Sequence, residues 1–470
     1  MRWLISLFFV SAIVVGAQEP LVVHEWGTFT ALQDEDGRAL GGINTDDEPV
    51  PDFVHSLHRS LLLGPTQLPP VFFVKGFPRA HPDVTMRLET PVLYFYPGAD
   101  QELPLEVDVR ATFRGGWLSE YYPKARVEAP GLKHERPNGQ TVMGGIDGDT
   151  QGSLVWEGLR VGVQDQGPVT QEEVWLAPRR VQATQVATPQ GESEKYLFYR
   201  GVGHLDALLQ VQRRGDELII GAAAELQQPI AQAWLADIRA DGRCAFRGLG
   251  RLEDRGEGPL TRTAAAFAEN EYSPARLAQL RASMHQSLVA DGLFEDEAQA
   301  MLDTWEAAYF QSPGLRLFFM VPQDWTDRYL PLQFSRPVQV TRVMVGRIEL
   351  VTPQQRALLA RLAGPLPQPF PSQQVRAALS ADNPGSWAAN PLYEKLMGGE
   401  IELQSLGVPL PAAFADFLAL GRMRHALVLD ELQRRPSPGL RYFADLYRLE
   451  EYPVPEEAPA MAEGRGISNE

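Results

Sequence analysis

The chain has 470 residues, of which 44% are hydrophobic and 22% are charged. This length predicts two or three domains, and this composition is typical of a folded globular protein rather than a disordered one. The 43 basic and 60 acidic residues give a formal net charge of −17 at pH 7. Nucleic acids and anionic membrane surfaces need positive patches, so the charge argues against both as partners.

The first residues, 1–17, are typical of an export signal. Arg2 precedes an apolar stretch from Trp3 to Val15, and small residues offer a cleavage site near Ala17. The stretch is short for a membrane anchor, although an uncleaved anchor stays open as the alternative. No later stretch reaches the roughly 18 apolar residues of a membrane-spanning helix. We therefore predict export to the periplasm or the medium, with no transmembrane segment after cleavage.

The number of cysteines excludes three kinds of thiol chemistry. Cys244 is the single cysteine of the chain, so an internal disulfide, a thiolate zinc cluster and a redox pair are excluded. The fold must therefore be stabilised by its core alone.

Residues 18–260 carry the patterns of short β-strands separated by glycine and proline. In "LEVDVRATF", apolar residues at every second position alternate with polar ones, which is typical of an antiparallel sheet with one buried face. The segment "HEWGTFTALQDEDGRALGGI" predicts a strand, a turn at Asp36-Gly37 and a return strand. We therefore predict an N-terminal antiparallel β-sandwich-like region over 18–260.

Helical patterns dominate the second half of the chain. Residues 261–352 predict a helical hairpin, beginning at Ser273-Pro274, plus strands that pack on the β domain. Residues 353–450 predict a mainly α-helical C-terminal region that begins at Thr352-Pro353. Residues 451–470 are acidic and proline-rich, which predicts disorder. The predicted fold class is α+β.

One candidate site is a metal centre near the N-terminus. If the segment "VHSLH" is helical, His55 and His58 share a face, and His24 and Glu25 could complete the ligand set of a divalent metal, zinc or iron. In a strand, however, neighbouring side chains point to opposite faces. That alternative separates His24 from Glu25 and leaves both as ordinary structural residues.

Two other segments are candidates for ligand binding. Arg200 lies beside two glycines in "YRGVGHLD", where its guanidinium could bind a carboxylate or phosphate and His204 could act as an acid or base. The alternative is a structural salt bridge. Trp117, Tyr121 and Tyr122 concentrate aromatic rings that suit a carbohydrate or peptide ligand, unless the rings are buried in the core.

Several segments in this order resemble a group of exported bacterial proteins. They are "VVHEWGTFT", "MRLETPVLYFY", "WLSEYYP", "KYLFYRGVG" and "RVMVGRIELVTP". The resemblance runs from about His24 to Pro353. It implies the architecture and export, and it implies nothing about catalysis.

The sequence is compatible with three functions, and it does not decide whether the protein is an enzyme. The leading hypothesis is an exported cell-envelope protein that binds a ligand or a partner. The first alternative is a metal-dependent hydrolase that uses the N-terminal histidine and carboxylate residues. The second is a structural component of the envelope.

Overall fold

The computed structural model describes residues 19–45, 50–57, 73–135, 141–222, 226, 228–253, 261–364, 412–447 and 449–450. The predicted export signal, His58 and the predicted acidic tail lie outside these ranges. None of the helices within them has the length and apolar character needed to cross a membrane.

The described ranges contain short and long strands throughout. The strands are β1 Leu21–Gln33, β2 His55–Ser56, β3 Phe73–Val74, β4 Phe77–Pro78, β5 Met86–Tyr96, β6 Leu105–Arg114, β7 Gly116–Tyr122, β8 Arg126–Glu128, β9 Lys133–Glu135, β10 Thr141–Met143, β11 Gln151–Val161, β12 Val186–Ala187, β13 Ser193–Glu194, β14 Leu197–Gly203, β15 Leu209–Arg214, β16 Glu217–Ala222, β17 Ile230–Ile238, β18 Cys244–Leu252, β19 Thr261–Ala265, β20 Gly314–Val321, β21 Leu332–Phe334 and β22 Val338–Leu350.

The helices lie mostly in the second half of the chain. They are α1 Glu173–Arg179, α2 Pro274–Ala290, α3 Glu295–Thr304, α4 Gln323–Tyr329, α5 Pro353–Leu362, α6 Ala412–Ala419, α7 Arg424–Arg434 and α8 Pro438–Leu446. A 3-10 turn spans Glu269–Glu271, and a π-helix spans Glu306–Gln311 directly after α3.

Fifteen of the strands in the described ranges form one large sheet, which curls into a half-barrel. Its main path runs β13-β12-β11-β7-β14-β5-β1-β22-β20-β17-β18. At its centre, β1 pairs antiparallel with β5 and parallel with β22. The predicted regions 18–260 and 261–352 therefore contribute strands to the same sheet. The α+β class predicted from the sequence fits this architecture, while the sandwich-like layering stays a prediction.

The two faces of the sheet pack into different apolar clusters. On one face, Val23, Phe29 and Ala31 of β1 join a cluster of strand residues. On the other face, Trp26 packs edge-on against Trp305, in a cluster that includes buried residues of α2 and α3. We call this second side the helix-covered face. A further cluster joins α5–α8 to the sheet.

Local capping signals place the helices where the sequence predicts them. Pro274 begins α2, and Thr352 caps α5 by accepting a hydrogen bond from the Gln355 backbone N–H. The predicted starts of these two helices are confirmed. The C-terminal helices α5–α8 are described, but residues 365–411 lie outside the described ranges, so a mainly helical region over 353–450 stays a prediction.

The helical condition set for the histidine pair is not met at His55, and one local prediction was wrong. His55 and Ser56 form a short strand paired with β7, so the segment that carries His55 is not a helix there. After the turn at Asp36-Gly37, the predicted return strand is reduced to a single bridge between Gln33 and Ala39. Asp34 explains the tight turn, because its carboxylate accepts the backbone N–H groups of Asp36 and Arg38.

Candidate functional site

His24 and Glu25, the adjacent pair at the start of β1, point to opposite faces of the sheet. His24 contacts Tyr96 and Phe294 on the helix-covered face. Glu25 contacts Tyr199 and Arg342 on the other face. The period-two geometry of a strand imposes this separation, so the pair does not form one site.

His24 is held by a buried carboxylate. Its Nδ1 lies 2.8 Å from Glu297 Oε2, and only 5% of its side chain is exposed. Glu297 also accepts hydrogen bonds from the Tyr96 hydroxyl at 2.7 Å and the Phe294 backbone N–H at 2.8 Å. His24 Nε2 has no hydrogen-bond partner within the described ranges. A histidine whose Nδ1 is fixed by a carboxylate presents Nε2 in a defined direction.

Glu25 belongs to a separate buried network. Arg342 Nε donates to Glu25 Oε2 at 2.6 Å and Nη1 donates to Asp327 at 2.7 Å, while the Tyr199 hydroxyl donates to the other oxygen of Glu25. Burial raises the pKa of Tyr199 well above its ordinary value, and the Glu25 carboxylate raises it further. Tyr199 therefore stays a neutral donor.

The predicted metal ligands are not brought together in the described part of the chain. His55 lies on β2, and the strands β7, β14 and β5 separate it from β1 and His24. Four strand spacings amount to about 19 Å along the sheet, which is too far for a shared ion. His55 Nε2 instead contacts Glu192 at 2.9 Å. His58 lies outside the described residues, and within them no group of three or more metal-binding side chains forms.

Arg200 and His204 differ in burial and do not form one site. Arg200 is 3% exposed, and its Nε donates to Glu120 Oε2 at 2.5 Å. Arg200 therefore forms a buried salt bridge with Glu120, which is the structural alternative named in the sequence analysis. His204 is exposed, with Nδ1 2.9 Å from the backbone oxygen of Asp83.

The aromatic segment is a buried strand rather than an exposed loop. Trp117, Tyr121 and Tyr122 lie in β7 and are each at most 3% exposed. They offer no flat platform to a ligand. Trp117 donates its indole N–H to the Pro130 backbone oxygen at 3.3 Å, which ties β7 to the loop after β8.

That loop borders a groove at the surface. Residues 127–133, Gln151 and Ser153 line this open groove, which has a volume of about 520 Å³. One rim carries Glu128, which pairs with Arg110 at 2.6 Å and also with Arg126. Hydrogen bonds from Arg110 lower the pKa of Glu128, which keeps the carboxylate charged.

A buried charged centre on the helix-covered face was missed by the sequence analysis. Glu89 is 1% exposed and accepts hydrogen bonds from the hydroxyls of Thr30 at 3.0 Å and Tyr309 at 3.1 Å. Its second carboxylate oxygen contacts the Lys75 ammonium at 3.4 Å and the Arg87 guanidinium. A buried carboxylate thus meets two hydroxyl donors and three cations, because Arg422 Nη2 also lies 4.0 Å from the oxygen that contacts Lys75.

The backbone around this centre departs from regular geometry. Lys75 and Thr90 have φ of 51° and 44°, values that non-glycine residues rarely adopt. The register of β1 with β5 shifts between Trp26 and Thr28, and that of β14 with β7 shifts between Arg200 and Gly201. Bulges, left-handed residues and π-helices such as Glu306–Gln311 concentrate at functional sites.

A second buried carboxylate, that of Glu349, lies on β22, which pairs with the edge of β1 opposite to β5. Arg347 pairs with Glu349 two residues along β22, and Arg316 Nε lies 3.4 Å from the same carboxylate. Arg316 also donates to the backbone oxygens of Tyr309 and Ser312 near the end of the π-helix, at 2.8 Å each. The Arg347 guanidinium lies 4.2 Å from the centre of the Tyr309 ring. Tyr309 therefore contacts both groups, because its hydroxyl donates to Glu89 and its ring packs against the arginine that pairs with Glu349.

The sequence did contain a signal for this centre. Arg-x-Glu occurs in both "MRLETPVLYFY" and "RVMVGRIELVTP", within segments that are otherwise almost wholly apolar. Charged residues two apart in such a strand share one buried face, and buried charges require partners. What the sequence could not show is that both strands flank β1.

Comparisons with known proteins do not assign the chain to a family. No family model and no curated protein matches the chain. Among solved structures, it is similar to the yeast delta-COP-I mu-homology domain, at 9% identity and a TM-score of 0.24, over 72% of this chain and 100% of that one. The same domain complexed with a Dsl1 WxWxV peptide matches at 8% identity and a TM-score of 0.24, with the same coverage. A similarity this weak carries no conclusion about function.

Proposed function

We propose that this protein is an exported ligand-binding protein, whose ligand lies in the groove between the 127–133 loop and the start of β11. The groove itself carries the proposal, because its volume of about 520 Å³ falls within the roughly 300–1,000 Å³ of small-molecule sites. Its lining combines apolar side chains such as Val127 and Leu132 with the exposed Gln151 amide and Lys133 ammonium. This mixture suits a carbohydrate or peptide ligand.

Trp117 supports the groove from behind. A side chain at Gly152 would meet Trp117 at 3.0 Å, so the tryptophan packs directly against the strand that bears Gln151 and Ser153. Its indole N–H bond to Pro130 ties the opposite wall to the same residue. Both walls are therefore anchored to one buried ring, which favours a preformed site that loses little entropy on binding.

The proposal is tested with the full mature chain. Panels of oligosaccharides and peptides are screened by ligand-observed NMR, and each hit is titrated by calorimetry. We expect Gln151→Ala and Lys133→Ala to weaken binding by about tenfold each, the value of one lost polar contact. Gln299→Ala, on the exposed side of α3, is the matched control and should bind as the wild type does. A hit whose affinity is unaffected by both groove variants contradicts the location.

Export is tested separately. The chain is expressed in a bacterial host, and the N-terminus of the protein in the periplasm or medium is sequenced. Cleavage near Ala17 leaves Gln18 as the first residue, in accord with the predicted signal. Full-length protein in the membrane fraction would instead support the uncleaved anchor.

A second candidate, a metal-dependent hydrolase, is favoured by one contact. Glu297 fixes His24 Nδ1, as carboxylates commonly do for metal-bound histidines. Elemental mass spectrometry of the purified protein tests this candidate, with His24→Gln and the control His285→Gln measured alongside. Near-stoichiometric zinc or iron that falls only in His24→Gln supports the hydrolase, and metal-free protein removes it.

A further inference from the structure

We propose that the groove binds a carbohydrate rather than a peptide, and that Glu128 selects it by accepting a hydrogen bond from a sugar hydroxyl. This inference rests on the proposed function, because it names the ligand class of the same site. Glu128 lines the groove together with Lys133, Gln151 and Ser153, so one open volume joins these side chains. The Glu128 side chain is 35% exposed, and a ligand in the groove therefore reaches its carboxylate.

Two arginines orient the Glu128 carboxylate. Arg110 donates to both of its oxygens, from Nη1 to Oε2 at 2.6 Å and from Nη2 to Oε1 at 3.1 Å. Arg126 donates a further hydrogen bond to Oε1. Within the described ranges Oε2 thus accepts one hydrogen bond, whereas each oxygen of an ionised carboxylate has about two acceptor positions. The remaining position on Oε2 only accepts, so the ligand group that meets it is a donor.

The surrounding charges show which donor suits this position. An ammonium group would approach Arg110, Arg126 and Lys133, and their three positive charges outweigh the attraction of the single Glu128 carboxylate. Glu157 offsets part of this charge, because it pairs with Arg126 at 2.8 Å. A ligand carboxylate at Oε2 would meet a like charge and would bring no donor. The donor is therefore a neutral group, either a hydroxyl or an amide N–H.

The main chain of the loop favours the hydroxyl. The Ala129 carbonyl accepts from the Leu132 N–H at 3.2 Å, and the Leu132 carbonyl accepts from the Gly144 N–H at 2.9 Å. The Pro130 carbonyl accepts from the Trp117 indole N–H. A peptide that adds as a strand is held by main-chain groups of this kind, and these three are already engaged. Recognition therefore depends on side chains, and adjacent sugar hydroxyls, which both donate and accept, match a carboxylate, an ammonium and an amide in one groove.

The test uses the full mature chain. Neutral hexasaccharides of glucose, mannose, galactose and N-acetylglucosamine are titrated by calorimetry, with uncharged hexapeptides of alanine and serine in parallel. We expect saturable binding of a saccharide, and Glu128→Gln should weaken it about tenfold, the effect of one lost hydrogen bond to a charged group. The matched control is Glu173→Gln, which changes an exposed glutamate of α1 that pairs with Arg180 and should leave the affinity unchanged.

The pH dependence of binding tests Arg110 as the residue that positions Glu128. Hydrogen bonds from Arg110 lower the pKa of Glu128 from its ordinary value of 4.5. In Arg110→Gln this pKa rises, so the affinity should begin to fall at a higher pH than in the wild type when the pH is lowered from about 7 to about 4. A purely structural role would instead change the affinity by the same factor at every pH.

The outcomes separate this inference from the location of the site. A saccharide whose affinity falls in Gln151→Ala and Lys133→Ala but not in Glu128→Gln overturns the role of Glu128 and leaves the groove as the site. Binding of the peptides without the saccharides also overturns the inference while the groove stands. If neither class of ligand binds, the inference and the proposed function both fail.

Discussion

Arg87 of β5 and Arg347 of β22 lie opposite the same residue, Thr30 of β1, one on each side of it. Each arginine begins an Arg-x-Glu triplet that ends at Glu89 or Glu349. Because β5 runs antiparallel and β22 parallel to β1, the two glutamates lie towards opposite ends of the central strand. The charges are therefore staggered along β1, and each glutamate contacts the arginine of its own triplet.

This arrangement makes Glu89 essential to stability. We expect Glu89→Gln to lower the free energy of unfolding by about 3–5 kcal/mol, because it leaves the buried cations of Lys75 and Arg87 without that carboxylate. Glutamine keeps the size of the side chain, so the loss reports the charge. Urea denaturation at neutral pH, followed by circular dichroism, measures it.

The matched control is Glu157→Gln. Glu157 pairs with Arg126 at 2.8 Å, but both side chains are at least half exposed. Such pairs contribute about 0–1 kcal/mol. If Glu89→Gln costs no more than Glu157→Gln, the centre does not depend on its carboxylate.

Sequence reasoning succeeded where the determining interactions are local. Alternation over "LEVDVRATF" was enough to predict the strand β6, because one buried face requires a period of two. The starts of α2 and α5 followed from Pro274 and from the Thr352 cap, which act within one helical turn.

The candidate site could not be assembled from the sequence, because its contacts join distant segments. Glu297 lies 273 positions after His24, and Tyr309 lies 220 after Glu89. No spacing pattern reports such pairs. His24 and Glu25 show the converse case, in which neighbouring residues do not share a site. They are adjacent in sequence, but the strand geometry separates them, an outcome that the sequence allowed as one of two alternatives.

Tyr199 and Tyr196 offer a matched test of the Glu25 network. Both are fully buried, on different faces of the sheet, and both donate a hydrogen bond, Tyr199 to the Glu25 carboxylate and Tyr196 to the Trp175 backbone oxygen. Hydrogen bonds to charged groups contribute about 1.5–3 kcal/mol and neutral ones about 0.5–1.5 kcal/mol. We therefore expect Tyr199→Phe to destabilise the protein more than Tyr196→Phe. Equal losses in urea denaturation would show that the charge of Glu25 adds nothing to the bond.

Two buried histidines predict a loss of stability in mild acid. Burial lowers the pKa of His81 to about 4, and it lowers the pKa of His425 well below its ordinary value of 6.5. Below about pH 6.5 the unfolded chain binds these protons and the folded protein does not. The free energy of unfolding therefore falls as the pH drops from about 6.5 towards the folded pKa values, by about 1.4 kcal/mol per pH unit for each histidine.

The variant His425→Phe isolates one of these two contributions. Both ring nitrogens of His425 lack hydrogen-bond partners in the described ranges, and the ring contacts the stacked rings of Phe417 and Tyr447. Phenylalanine therefore fits the site and cannot be protonated. Urea denaturation between about pH 5 and pH 6.5 should show a smaller slope than in the wild type, by a difference that grows from about 0.7 kcal/mol per pH unit at pH 6.5 towards about 1.4 kcal/mol per pH unit at pH 5. An unchanged slope would mean that His425 does not titrate on unfolding.

Cys244 provides a direct reporter of unfolding. Its side chain is fully buried, and burial raises the pKa of its thiol to about 11, with a further increase from the nearby Asp237 carboxylate. Only the thiolate reacts with iodoacetamide, and at about pH 8 roughly one thiol in a thousand is ionised even before burial limits access. We therefore expect no labelling by mass spectrometry in native buffer and complete labelling in urea. Because the chain has one cysteine, rapid labelling of the native protein would place the opening at the start of β18, the strand that ends the main path of the sheet.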